Sequence, residues 1–259
     1  MTLSDVKCFL LDLDGTFYLS TELIEGSLEF IDRVLATGRN YMFLTNNSSH
    51  NASFYVEKLR QMGLSTDRSH ILTSGEATCE VVKSRWPGRR AFVLGNEFLQ
   101  QEFFEAGIAV DMEHPDLVVA GFDTTLTYEK LRVACDFIRD GLPFIATHPD
   151  FNCPTATGFM PDIGAILAFI EASTNRRPDL VVGKPNPGIV QAALRRTGLK
   201  VNELAMVGDR LYTDIETGLR SGMLSILVMT GETTEAMLQA SPTVPDLKFG
   251  RLSDMIPLL

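Results

Sequence analysis

The chain has 259 residues, 45% hydrophobic and 22% charged, which is enough apolar material for one large core or two moderate ones and excludes a disordered protein. Its formal net charge of -10 at pH 7 excludes a binder that relies on a basic face against nucleic-acid phosphates. No apolar stretch approaches a membrane span, and the four scattered cysteines, Cys8, Cys79, Cys135 and Cys153, read as buried thiols in a cytoplasmic protein.

The first element is the almost unbroken apolar run 6–11, read as a strand buried on both faces of a parallel sheet. It stops at Asp12-Leu13-Asp14-Gly15-Thr16. Residues two apart on a strand point the same way, so Asp12 and Asp14 face one space, where two like charges need a cation or a proton. A hairpin turn at Asp14-Gly15 is the plainer alternative, weakened because Phe17-Tyr18-Leu19 runs into a helical segment with no matching strand.

A helix over 25–36, carrying Leu28, Ile31, Val34 and Leu35 on one face, leads to a second buried strand over 41–45. Strand, helix, strand implies a right-handed parallel unit. A helix over 51–62 follows, then an extended Ile71-Leu72 and a capping box, Thr73 with Glu76, for a helix reaching Arg85. From about Arg89 a second series begins, with strands expected at 91–94, 117–120 and 144–146 and helices at 97–106, 128–139 and 163–172. The polar stretch 175–178 marks the return to the first domain, where 180–182 restarts short buried strands. Asn186 then caps a helix starting at Pro187, 204–207 is a strand ending at Gly208-Asp209, and Thr213 with Glu216 forms a second capping box. Strands at 224–229 and 246–249 complete the chain. The expected fold is α/β, a discontinuous parallel-sheet core domain over 1–79 and 180–259 interrupted by one inserted α/β domain over 80–179.

Four of these runs stop alike, at Asp12, Thr45, Lys184 and Asp209, and in an open parallel sheet ligands bind at the carboxyl ends of the strands. The same rule also nominates Asn96 and Asp123 in the insert. Read singly, Thr45-Asn46-Asn47 is a polar loop, Lys184 a solvated lysine and Asp214 a favourable charge in a helix first turn. Taken together they suit phosphoryl transfer. A carboxylate approaching a phosphate dianion meets repulsion of roughly 4 kcal/mol per pair of unit charges at about 4 Å and an effective dielectric near 20, so cations must offset it. A magnesium ion on hard oxygen ligands and one lysine would do so. Asp12 would attack phosphorus, Asp14 would act as general acid and then base, and Thr45 with nearby amides would hold the transferring group. Gly183-Lys184-Pro185 lacks the upstream glycine of a P-loop, and no dinucleotide fingerprint follows a strand.

Asp12-Leu13-Asp14-Gly15-Thr16, Thr45-Asn46-Asn47, Lys184, and Gly208-Asp209 through Thr213-Asp214 closely resemble the four motifs of the haloacid dehalogenase-like phosphatases. The long insertion between the second and third motifs resembles the NagD-like, nitrophenylphosphatase-like branch with its α/β cap of the second class. The resemblance implies a Rossmann-like parallel-sheet core with the insert 80–179 as its α/β cap domain, Asp12 as nucleophile and Asp14 as acid/base. It also implies magnesium on Asp12, the Asp14 carbonyl and Asp209, with Asp214 in support, and phosphate on Thr45, Asn46 and Lys184. His148, Asp150 and Asp162 fall in the cap region that faces substrate, with His148 where Asn is frequent and Asp162 where Gly is frequent. An acid carried toward the substrate favours cationic or polyol leaving groups, the alternative being a surface-facing Asp162. The expected activity is hydrolysis of small phosphorylated metabolites. A phosphotransferase or mutase using the same aspartyl phosphate is the runner-up, and a non-catalytic phosphometabolite-binding module is the reading from another class. A homo-oligomer is compatible with all three.

Overall fold

The structure is a computed structural model that describes residues 2–155 and 157–259. The chain divides into two compact units, one of Met1–Thr45, Tyr55–Leu72 and Val190–Leu259, the other of Asn46–Phe54 and Thr73–Ile189. Among the described residues no helix is long and apolar enough to cross a membrane.

The first unit is built on a six-stranded sheet in the spatial order Leu247–Phe249, Leu224–Val228, Leu204–Gly208, Cys8–Leu11, Asn40–Thr45 and Ile71–Thr73. Cys8–Leu11 has no polar side chain, so it can occupy an interior position, and all four of its residues are buried. It pairs in parallel on both sides, Leu11 meeting Val207 on one and Phe43 on the other. That register sets Asp12 and Asp209 just beyond the carboxyl ends of their strands and Thr45 at the carboxyl end of its own. Aromatic rings fill the space around it: Phe9 meets Phe30 edge-on at 5.5 Å, and Phe17 meets Phe43 at 4.9 Å. Phe30, Ile31 and Val34 share the buried face of the helix Ser27–Ala36.

Two local expectations are corrected in this unit. Tyr18–Leu19 does find a partner strand, Glu22–Leu23, in a small antiparallel hairpin reversed at Ser20, whose φ is +59°. Two-residue strands of mixed polarity leave no periodic signal, and for that reason the segment read as an approach to the helix. Thr213 does not open a helix as an N-cap either. Residues Leu211–Ile215 wind as a π turn that runs into the helix Glu216–Ser221, and the Thr213 carbonyl accepts from the Thr217 hydroxyl at 2.6 Å.

The second unit carries a four-stranded parallel sheet in the order Leu180–Val181, Phe144–Ala146, Leu117–Ala120, Ala91–Leu94. The helices Tyr128–Arg139 and Ile163–Thr174 pack on it through Leu131, Ala134, Ile138, Ile163, Ile166 and Ile170. Leu180–Val181 is therefore a strand of this sheet, paired to Ile145 and Ala146, and does not restart the first one. Two residues are too few to carry a sheet's signature, and the neighbour was decided by the turn at 175–179. There Arg176 donates to the carbonyls of Ile138 and Leu142 at 2.8 and 3.1 Å, and Asp179 accepts the Phe144 N–H at 2.7 Å. An exposed hairpin, Asn152–Thr155 with Gly158–Pro161, had no counterpart in the sequence reading.

Because Phe43 is fully buried between Phe17 and Tyr41, Phe43→Ala should lower unfolding free energy by about 3–5 kcal/mol in urea titrations monitored by circular dichroism. A loss below about 1 kcal/mol would mean that this packing does not hold the sheet.

Candidate active site

Asp12, Asp209 and Asp214 each offer a carboxylate oxygen, and the three oxygens lie within 4.8 Å of one another. The first is 9% exposed and the others 1% and 0%, so water cannot screen their mutual repulsion. Strand pairing puts them there: the Asp12 N–H donates to the Val207 carbonyl at 2.9 Å, which seats Asp12 beside Gly208-Asp209. The π turn brings Asp214 back, its Oδ2 accepting the Arg210 N–H at 3.1 Å.

Side chains could not gather this closely without bare backbone around them. A Cβ on Gly208 would lie 2.2 Å from the Asp214 carboxyl carbon, and one on Gly231 would lie 2.0 Å from Asp209 Oδ2. Gly15 combines a φ of +87° with a Cβ position 2.6 Å from the same oxygen. Asp209 is further held by the Glu232 N–H at 2.7 Å and by the Thr16 hydroxyl at 3.4 Å. Thr230 donates to the Gly15 carbonyl at 2.6 Å, which ties the loop after the strand Leu224–Val228 to the first motif.

Burial, and then the charges of Asp12 and Asp214, push Asp209 up to about 7. Burial also raises Asp14, with Lys58 opposing it and Asp12 adding to it. Lys58 sits 3.8 Å over the Tyr18 ring, and Tyr18 accepts the Gly15 N–H at 2.7 Å, so this cation belongs to the Asp14 loop. Arg210 is a cation coupled to all three acids. Burial disfavours its charge, but Asp12 and Asp209 more than offset that and hold its pKa above the ordinary arginine value. Its Nε lies 3.0 Å from Glu232. Three clustered hard oxygen donors with one arginine fit a divalent cation, which would relieve the remaining repulsion.

The second unit holds Lys184, 2% exposed, at the turn after Leu180–Val181. Asn46 grips its main chain from both sides: Oδ1 accepts the Lys184 N–H at 2.7 Å, and Nδ2 donates to the Lys184 carbonyl at 3.0 Å and to Asp150 at 3.1 Å. Both amide protons of Asn46 are thereby used inside the protein, leaving its side chain no donor for an anion. His148 and Asp162 are buried and face each other, Nε2 to Oδ1, at 3.0 Å, so Asp162 is not surface-facing. Asn96 and Asp123 are structural: Asn96 caps the helix Glu97–Glu105, and Asp123 pairs with Lys130 at 2.8 Å.

The family described as haloacid dehalogenase-like hydrolase matches residues 9–109, and the one described as HAD-hydrolase-like matches 181–255. The acid sugar phosphatase of Staphylococcus aureus (strain MRSA252) is 39% identical over 251 residues, 96% of each chain. The chain belongs to the haloacid dehalogenase-like hydrolases. Among solved structures, a 4-nitrophenylphosphatase from Thermotoga maritima aligns with TM-score 0.96 at 47% identity over 98% of each chain. NagD from E. coli K-12 aligns with TM-score 0.90 at 30% identity, covering 96% of this chain and 98% of that one. This hydrolase is an enzyme of the NagD-like branch, a phosphatase.

Of the residues singled out in sequence, Asp12, Asp14, Thr45, Asp209 and Asp214 fall in the first unit of the hydrolase, and Asn46, His148, Asp150, Asp162 and Lys184 in the second. Arg210 and Lys58 were not singled out. A cation directly after a strand-end acid was a usable signal for Arg210; Lys58 reads as one more charge on a helix surface. The Glu232 backbone donor has no sequence signal at all.

Gly231→Ala should push Asp209 aside and weaken divalent-cation binding by at least about tenfold in calorimetric titration, with the fold retained. Asp209 also sets a pH dependence. An acid raised from 3.8 to about 7 holds its proton more tightly folded than unfolded, so its contribution to stability is present in acid and lost as pH rises through about 7. Cation-free protein should therefore melt lower at about pH 8 than at about pH 5.5, and a divalent cation should raise the melting temperature most at the higher pH. Equal cation effects at both values would overturn the assignment.

Proposed function

We propose that this phosphatase is a magnesium-dependent phosphomonoesterase of small phosphorylated metabolites, working through an aspartyl phosphate on Asp12. The observation that carries the reading is the buried triad Asp12, Asp209 and Asp214, with the raised Asp14 beside it. Magnesium would be held by Asp12, Asp209 and the Asp14 carbonyl with Asp214 in support, and when bound it supplies the positive charge that lets a carboxylate approach a phosphate.

Asp12 then attacks phosphorus through a carboxylate oxygen, and the bond between phosphorus and the ester oxygen breaks. Asp14, held protonated more readily by its burial, gives its proton to the departing alkoxide. The resulting Asp14 carboxylate takes a proton from water as that water attacks the phosphoryl group, and the Asp12 oxygen leaves as carboxylate. Lys184 supplies an ammonium group for the phosphate and Thr45 a hydroxyl, while Asn46 acts by holding the Lys184 main chain. The second unit, chiefly residues 80–179, serves as the cap that selects the leaving group. A sugar phosphate is a fitting substrate class, in keeping with the name of the S. aureus relative.

Asp12→Asn should fold normally and lose at least about a thousandfold in turnover of p-nitrophenyl phosphate, and chelation of magnesium should do the same to the wild type. Hydrolysis in heavy-oxygen water should place one solvent oxygen in each phosphate released, whereas a phosphotransferase would move the group to an added alcohol. Undiminished turnover by Asp12→Asn would overturn the mechanism.

A further inference from the structure

Within the second unit a chain of buried hydrogen bonds runs from the start of the helix Ile163–Thr174 to the main chain of Lys184. Asp162 caps that helix, its Oδ1 accepting the Ile163 N–H at 2.5 Å, and the same oxygen meets His148 Nε2 at 3.0 Å. His148 is completely buried, and its Nδ1 lies 3.0 Å from Thr147 Oγ1 and 3.4 Å from Ser74 Oγ. Both hydroxyls lead onward to one loop. Ser74 donates to the Asn46 carbonyl, and Thr147 meets the Ser48 hydroxyl at 3.0 Å, whose oxygen takes the Phe122 N–H at 2.9 Å. From there Asn46 clamps Lys184 from both sides. The packing has no slack, since a Cβ on Gly183 would lie 2.6 Å from Asn46 Oδ1 and 2.7 Å from the His148 Cβ.

Stability alone does not account for such a pair. Burying an acid and an imidazole costs desolvation that an apolar pair of similar size would avoid, and such replacements are often neutral or stabilising. What a satisfied polar chain adds is direction, because each bond fixes the orientation of the next group. The Asp162 side joins the exposed hairpin to this chain: its N–H donates to the Phe151 carbonyl at 2.9 Å, and the Gly164 N–H donates to that of Asp150 at 2.8 Å.

We propose that His148 and Asp162 form a positioning couple that fixes the loop at Asn46–Ser48, and through it the Lys184 main chain, and so sets how tightly the enzyme holds the phosphoryl group of its substrate. The proposal rests on Lys184 as the phosphate ligand of the function given above. It makes the couple act on phosphate affinity rather than on the choice of leaving group.

The test is steady-state kinetics with p-nitrophenyl phosphate and one sugar phosphate, together with competitive inhibition by inorganic phosphate. Asp162→Ser keeps a capping oxygen for the helix but cannot reach His148; with His148→Asn and Ser74→Ala it should raise both the phosphate inhibition constant and KM by about five- to tenfold, alike for both esters. The double variant His148→Asn/Ser74→Ala should bind phosphate no more weakly than the more affected single, because the Ser74 branch runs through His148. Asp162→Asn, which keeps Oδ1, should stay near wild type and guards against a trivial folding defect. An unchanged inhibition constant in folded Asp162→Ser, or an effect confined to one ester, would overturn the couple while Lys184→Ala still lost phosphate affinity. If Lys184→Ala bound phosphate as well as wild type, the functional reading itself would fail and the couple with it.

Discussion

Repulsion among buried carboxylates is the constraint on which the first unit of this protein depends. Asp12, Asp209 and Asp214 come from two strand ends and a π turn, and their burial keeps bulk water from softening their charges. A fold would discard such an arrangement unless something repaid it. The local structure is shaped to keep it: glycines at 15, 208 and 231 leave room for the carboxylates, and a backbone N–H from Glu232 and the nearby Arg210 lower its cost. The arrangement stores a demand for positive charge, which the metal-assisted attack proposed above would use.

The second unit solves a different problem with similar means. In the buried network of this unit the imidazole of His148, the hydroxyls of Ser74 and Thr147 and the amide of Asn46 each have a partner of fixed direction. Such networks hold a main chain in place more firmly than apolar packing of the same volume, because every bond has an angle as well as a distance. Lys184 sits at the end of one, its backbone held by Asn46 at both its N–H and its carbonyl.

If the second unit is the cap proposed above, the contrast between the units bears on how substrate choice could change while the chemistry is kept. The acids that would bear the reaction are fixed by sheet register, which mutation moves only at great cost to the core. The exposed hairpin Asn152–Thr155 with Gly158–Pro161 belongs to no such sheet and carries Phe159 at 73% exposure, so its surface can vary with little cost to stability.

Periodicity and chain punctuation by themselves determined the long helices, the apolar strands and the convergence of Asp12, Thr45 and Asp209, because burial on both faces and strand-end acids are written locally in runs such as Cys8–Leu11 and Leu204–Gly208. Only tertiary structure decided that Leu180–Val181 joins Phe144–Ala146, that Tyr18–Leu19 finds Glu22–Leu23, and that Thr213 gives up its cap to a π turn. It also decided that Asn46 holds a backbone and that His148 faces Asp162. Strands of two residues and single polar side chains carry no period; their partners are chosen by whichever donors and acceptors the rest of the fold brings within about 3 Å, information that no stretch of the chain contains on its own.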